Sequence, residues 1–266
     1  MKYKISIIMG IYNCASTLDE AIQSLLNQTY KDWKLIMCDD ASSDDTYLVA
    51  KKYADKYENI ILISNNENKG LNYTLNHCLK FADTKYIARM DGDDISLPTR
   101  LEKEVDFLEN NPEYAIVGSN MIYFDETGDW GKSNSLKKPH KADFIKGTPF
   151  CHASCLVRNE AYKAVKGYSE GKNLLRVEDY HLWYKMYLNG FKGYNIEESL
   201  YKMRDDRNAI NRRKYRYRIN ETYVRYLIVK NFKLSKINYL FILRPLAVGL
   251  LPNSVYEFLH KKRMKS

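Results

Sequence analysis

Up to residue 118 the chain alternates short apolar runs with stretches whose apolar residues recur every three or four positions. The apolar runs predict β-strands at residues 5–9, 34–38, 60–63, 86–90 and 114–118. The stretches between them predict helices at about 17–28, 45–57, 71–81 and 98–110. Thr17-x-x-Glu20 has the form of a capping box for the first helix. Asp44 or Asp45 can cap the second, Lys69-Gly70 leads into the third, and Pro98 suits the first turn of the fourth. Strands alternating with helices of this length imply an α/β fold with a mostly parallel, doubly wound sheet. In such sheets ligands bind beyond the carboxyl ends of the strands.

The pattern is less regular afterwards. Residues 125–135 read as a polar loop or hairpin, 151–157 as a strand, and 160–165 as a short helix. A helix is predicted over 178–188, with Leu182, Trp183, Met186 and Tyr187 on its apolar face. From about residue 207 the chain reads as helical and basic, with cations and aromatics interleaved at 212–218. The apolar run at 240–251 is broken by Arg244-Pro245 and is too short to span a bilayer. A last helix is expected at about 254–263, with Val255, Phe258 and Leu259 on one side and Lys261-Lys262-Arg263 at its end. That pattern suits a membrane interface, and equally a helical cap packed on the main body. At the other end, 5–9 is too short for a membrane span and no small-residue cleavage site follows it.

Charge divides the chain. Of the net +9 over 266 residues, residues 201–266 carry +13 and the remaining 200 carry −4. A basic tail points to an anionic membrane surface, a nucleic acid or a phosphorylated partner. The five cysteines, at 14, 38, 78, 151 and 155, form no even framework and read as reduced and intracellular. Cys151-His152-x-x-Cys155 lacks the second Cys/His pair that a structural zinc site needs.

The candidate chemistry is acidic. The fourth strand runs into Arg89-Met90-Asp91-Gly92-Asp93-Asp94, and the second ends in Asp39-Asp40. Asn13 lies just beyond the first. Mg²⁺ and Mn²⁺ prefer oxygen ligands, typically one or two carboxylates completed by substrate phosphates. Gly92 leaves room for a ligand to approach. Taken alone, Asp-Gly is equally a solvated turn. Two carboxylate groups at the same sheet edge are better explained by a site. Neither GxGxxG nor GxxxxGK[ST] is present, which argues against dinucleotide and P-loop folds. Glu178-Asp179 opens a helix, where the dipole alone favours carboxylates.

The ordered segments 6–13, 37–46, 68–71, 86–94, 152–154 and 178–183 together resemble the family 2 glycosyltransferases. These are inverting enzymes with a GT-A fold, a Rossmann-like sheet flanked by helices. The likeness spans about 3–203. It departs at Gly10, where many members have Pro, Thr or Ser. It implies a glycosyltransferase domain over 1–203, with a nucleotide-sugar half to about 118 and an acceptor half after it. Residues 204–266 would form a basic helical C-terminal extension like those of capsule, O-antigen and exopolysaccharide enzymes.

The implied reaction moves a sugar from a UDP-sugar to a hydroxyl of a glycan or lipid-linked glycan, with inversion. Asp93 would ligate Mn²⁺ or Mg²⁺ on the diphosphate, with Asp91 by the ribose or reaching the metal. Asp94 would support the loop or the donor sugar. Asp40 would accept a hydrogen bond from the nucleobase and Tyr12 would stack on it, with Gly10 and Asn13 lining the pocket. Lys69 would approach the nucleotide. Asp179 would be the general base, which typically contributes about 10²–10⁴-fold. Glu178 and His152 would face the acceptor. Trp183 reads as core, and His181 and Arg89 as structural. The enzyme would be cytoplasmic, peripheral on the inner face of the bacterial plasma membrane. GDP- or dTDP-sugars remain alternative donors. A nucleotidyltransferase would need a Gly- and Arg-rich loop that residues 11–14 lack. A nucleic-acid-binding module based on 212–218 leaves the carboxylates unexplained.

Overall fold

The computed structural model describes residues 2–205 and 215–250. The expected helix at 254–263 and the basic 207–214 stretch lie outside the described residues.

The N-terminal region follows the apolar pattern. Strands β1 (Ile5–Ile11), β2 (Trp33–Asp39), β3 (Ile60–Ser64) and β4 (Tyr86–Arg89) pair in parallel in the order β3-β2-β1-β4. Helices α1 (Ala15–Leu26), α2 (Thr46–Lys56) and α3 (Leu71–Leu79) connect them. Both faces of β1 are covered, so its residues are apolar almost without interruption. Ile8 faces a core with Ile36, Leu75 and Ile87, whereas Ile7 and Met9 face another with Leu18, Ile22 and Leu35. The two cores are the two sides of a pleat of period two.

The helix starts differ from expectation in two places. α1 begins at Ala15, and the capping box at Thr17 does not form. Thr17 Oγ1 instead donates to the carbonyls of Cys14 at 3.2 Å and Gly92 at 3.0 Å, and Glu20 pairs with Arg204. The backbone N–H of Ala15 finds Asp44 Oδ2 at 3.2 Å, while Asp44 Oδ1 takes the N–H of Thr46 at 3.0 Å. One carboxylate therefore serves the starts of α1 and α2. Pro98 precedes the N-cap Thr99 of α4 (Arg100–Asn110), and its carbonyl accepts the N–H of Thr29 at 2.8 Å.

The sheet continues as β8-β6-β9-β5. β5 is Ile95–Ser96, β6 Ile116–Asp125, β8 Leu156–Arg158 and β9 Gly193–Arg204. β8 runs antiparallel between β4 and β6, and β6 pairs in parallel with β9. β7 (Gly128–Lys132) closes a hairpin on β6, within the stretch expected as a loop or hairpin. β9 was not signalled by the sequence. Register shifts beside Asn120 break its alternation where Glu197 and Glu198 intervene. β8 is shorter than the expected strand because His152–Ser154 form a 3-10 turn.

α5 (Asn159–Ala164) and α6 (Glu178–Leu188) lie before β9, and α7 (Tyr215–Asn231) follows it. α7 is built into the body. Val224 and Ile228 are fully buried in the core that holds Trp183 and Phe144. Asn220 Nδ2 donates to the carbonyl of Leu175 at 2.9 Å, and buried Arg225 donates to the carbonyl of Ile145 and to Glu221 Oε1 at 2.9 Å. α8 (Tyr239–Ile242) and α9 (Arg244–Gly249) fold back on α7.

Candidate active site

Strand order reverses between β1 and β4, which opens a crevice at their carboxyl ends. One cavity of about 260 Å³ there is lined by Gly10, Tyr12, Asp40, Gly70, Arg176 and Glu178, among others. Gly10 lets α3 approach, since a Cβ would sit 3.2 Å from both Leu71 Cδ1 and Thr74 Cγ2. Asp40 is buried and clamped. Its Oδ1 accepts the Lys69 N–H at 2.9 Å and Asn65 Nδ2 at 2.8 Å, and its Oδ2 accepts the Gly70 N–H at 2.8 Å. Gly70 adopts φ 84°, a turn that favours glycine, to bring both amides onto that carboxylate. The Tyr12 ring is 49% exposed.

Three expected donor-site residues sit elsewhere. Asn13 Oδ1 accepts the Ser43 N–H at 2.8 Å, tying the loops after β1 and β2, and Asn13 lines neither this cavity nor the next. The Lys69 ammonium pairs with Glu67, and only its backbone turns inward. Gly92 is accounted for by packing, because a Cβ there would stand 2.9 Å from Cys14 Sγ.

A second cavity, of about 540 Å³, shares Arg176 and Glu178 with the first. Asp91, Asp93 and Asp94 line it, as do His152 and Asp179. Buried Arg89, read as structural, also reaches this cavity and donates to Asp91 Oδ1 at 2.5 Å. Burial and then the Asp91 carboxylate push Asp93 up to about 6. Burial, with Asp91 and Asp93 adding to it, raises Asp94 well above the usual range. Asp94 braces the loop, accepting the Arg204 N–H at 2.8 Å, while Arg204 Nε holds the Asp93 carbonyl at 2.9 Å.

Among the described residues no group of three or more His, Cys, Asp and Glu closes around a metal. Asp91 and Asp93 instead offer crowded carboxylates beside open space, the donor set of a hard cation whose remaining ligands come from a substrate's phosphates. The residues present fit Mg²⁺ or Mn²⁺ held in that way.

α6 begins as expected, with Glu178 and Asp179 in its first turn. Burial, then Glu178, pushes Asp179 up to about 7, against hydrogen bonds from backbone amides and the Thr148 hydroxyl. Burial also raises Glu178. The Asp179 carboxyl therefore changes protonation near neutrality, the range suited to a general base. His152 Nε2 lies 2.7 Å from the Tyr168 hydroxyl, and burial holds the ring neutral by pushing its pKa well below 6.5. Trp183 is fully buried on the inner face of α6, edge-on to Phe150 at 5.6 Å and His152 at 5.9 Å. Burial pushes His181 down to about 4.

The structure adds residues that the sequence did not flag. Arg176, at φ 66°, stands at the lip shared by both cavities. That left-handed backbone, shared with Asn13, Ala41, Lys166 and Lys233, is not legible in a sequence. Arg204 was hidden by the unrecognised strand. Tyr217, Arg218 and Glu221 of α7 complete the wall of the larger cavity. They arrive through packing between distant segments, which leaves no local signal.

Residues 6–166 match the family model described as Glycosyl transferase family 2. The Bacillus subtilis protein EpsE, named as a glycosyltransferase, is 46% identical over 262 residues, covering 98% of this chain and 94% of its own. WfaP of Escherichia coli, named UDP-Glc:alpha-D-GlcNAc-diphosphoundecaprenol beta-1,3-glucosyltransferase, is 31% identical over 191 residues, 72% of this chain and 73% of its own. The crystal structure of S. aureus TarS 1-349 in complex with UDP-GlcNAc superposes with a TM-score of 0.69 at 18% identity, over 97% of this chain and 72% of that one.

Proposed function

This chain belongs to glycosyl transferase family 2, and on that premise we propose that it is an inverting transferase of bacterial surface polysaccharide synthesis using a UDP-sugar. The observation that carries the reading is the placement of Asp179, titrating near 7, on the same cavity as Asp91 and Asp93. The uracil stacks on Tyr12, and its N–H donates to Asp40, whose geometry the amides of residues 69 and 70 fix in advance. Arg176, between the two cavities, suits a negatively charged diphosphate.

The acceptor hydroxyl attacks the anomeric carbon from the Asp179 side. Its proton passes to the Asp179 carboxylate as the new C–O bond forms. The bond from the anomeric carbon to the diphosphate breaks on the opposite face, and its electron pair leaves with the diphosphate oxygen. Asp93 and Asp91 would hold a divalent cation, which when bound would neutralise the charge growing on the leaving group. Glu178 binds or orients the acceptor, and neutral His152 lines its path.

The acceptor is a lipid-linked diphosphate glycan at the inner face of the plasma membrane, approached by an enzyme whose basic C-terminal region lies on anionic lipid. The +13 of residues 201–266 and the diphosphoundecaprenol acceptor in the WfaP name support this. No described helix is long and apolar enough to cross a membrane. Calorimetric titration of UDP tests the donor assignment. Binding that needs Mn²⁺ or Mg²⁺, is abolished by EDTA and is lost in Asp93→Ala is expected. Binding of GDP or dTDP in place of UDP would overturn it.

A further inference from the structure

We infer that the α8–α9 segment is a membrane-docking ridge whose outer face enters the interface of an anionic phospholipid bilayer. This rests on the membrane-surface reading above, and it moves the contact from charge alone to particular apolar side chains.

Amphipathic helices on a protein surface normally turn apolar residues inward and polar ones outward. Residues 237–250 depart from that rule. The inward anchors are few, chiefly Ile242, packed with Ile145 and Val229, and buried Pro245. One outward row recurs every three or four residues and is apolar: Ile237, Leu240, Leu243, Ala247 and Leu250. Ile237 is 61% exposed, Leu240 72%, Leu243 59% and Leu250 76%. Tyr239 and Phe241 are also exposed, and aromatic rings favour the headgroup level of a bilayer.

The ridge is held on a firm base. The carbonyl of Phe241 accepts buried Arg225 Nη1 at 3.5 Å, and Arg225 is fixed by Glu221 and the carbonyl of Ile145. α7 in turn contributes Tyr217, Arg218 and Glu221 to the larger cavity. A bilayer gripping α8 and α9 would thus be joined through one helix to the place where the acceptor is expected.

Charge selects the partner. From residue 222 to 250 there is no Asp or Glu. The same stretch exposes Lys230, Lys233, Lys236 and Arg244. Exposed leucines rimmed by cations, with no anion among them, match a surface that is apolar beneath and negative at its headgroups. Long lysine and arginine stems can lie along that apolar layer with their charges at the phosphates.

The test is flotation of the full-length protein with vesicles of phosphatidylcholine, with and without phosphatidylglycerol, alongside UDP calorimetry on the same samples. The wild type should float with the anionic vesicles only, and less as salt rises. Leu240→Asp combined with Leu243→Asp should reduce flotation by more than about tenfold. Lys233→Glu with Lys236→Glu should reduce it by about tenfold or more. All four positions are exposed, so UDP binding and thermal midpoint should be unchanged. Wild-type protein that fails to float, that floats equally with neutral vesicles, or that floats undiminished in the leucine variant would overturn the inference. So would self-association or capture of a protein partner that depends on Leu240 and Leu243 while flotation is absent. Absence of UDP binding by the wild type with flotation intact would sink the UDP-sugar assignment and leave the ridge standing.

Discussion

The two walls of the candidate crevice are built in different ways. The proposed donor wall comes from β1, β2 and β4 and the turns that follow them, joined by helices that pack on the strands they connect. The opposite wall comes from α6, the end of β9 and α7, whose neighbours lie far away in sequence. Asp40 is clamped by amides about thirty residues ahead, whereas Arg204, at the end of β9, is placed by the carboxylate of Asp94, 110 residues away. The donor wall is thus specified by nearby sequence, and the acceptor wall only by the completed fold.

The largest expected effects separate the walls directly. Asp93→Ala should abolish both transfer and metal-dependent UDP binding, read by product formation and calorimetry. Asp179→Asn should lower kcat by about 10²–10⁴-fold and leave UDP binding as it was. A parallel loss of UDP binding in Asp179→Asn would mean that the walls do not act separately.

Next comes the claim that α7 belongs to the body. Ile228 is fully buried in the main core. Ile228→Ala should cost about 2–5 kcal/mol in urea denaturation, as buried Ile-to-Ala changes do. A cost below about 0.5 kcal/mol, ordinary for a surface position, would detach α7 from the acceptor wall.

Gly92→Ala probes the join between the carboxylate loop and α1. Its methyl would meet Cys14 Sγ at 2.9 Å, so a loss of about 1–3 kcal/mol is expected from overpacking. Cys14→Ala in the same chain should return most of it. Failure of that rescue would place the clash on Ile11 Cγ2, 3.3 Å from the added methyl, rather than on Cys14. The smallest effect is Glu20→Ala. With no capping box and only a partly exposed pair to Arg204, it should change stability by about 0–1 kcal/mol.

How much of this was legible follows from the same contrast. The first four strands and the start of α6 at Glu178 were legible, because a covered parallel strand reads as an apolar run and a carboxylate pair marks a helix start. The carboxylates at the carboxyl ends were legible for the same reason. β9 was not, because Glu197 and Glu198 interrupt its alternation at an irregularity in pairing. The capping box failed because Thr17 found a better partner in the Gly92 carbonyl, 75 residues away. Asn13 and Lys69 were placed in the right loops, but what each side chain binds was decided by Ser43 and Glu67. Arg176 and the α7 residues in the cleft depend on backbone conformation and distant packing, which periodicity does not encode.

The most direct test of the central claim is the pH dependence of kcat/KM for sugar transfer with saturating divalent metal, which keeps Asp93 ionised. Asp179 binds its proton as pH falls through about 7, and a protonated carboxyl cannot accept the acceptor's proton. The account predicts an acid limb with an apparent pKa near 7 in the wild type, and residual activity without that limb in Asp179→Asn. Activity that stays level from about pH 8 to pH 5, or near-normal transfer by Asp179→Asn, would contradict the assignment of the base.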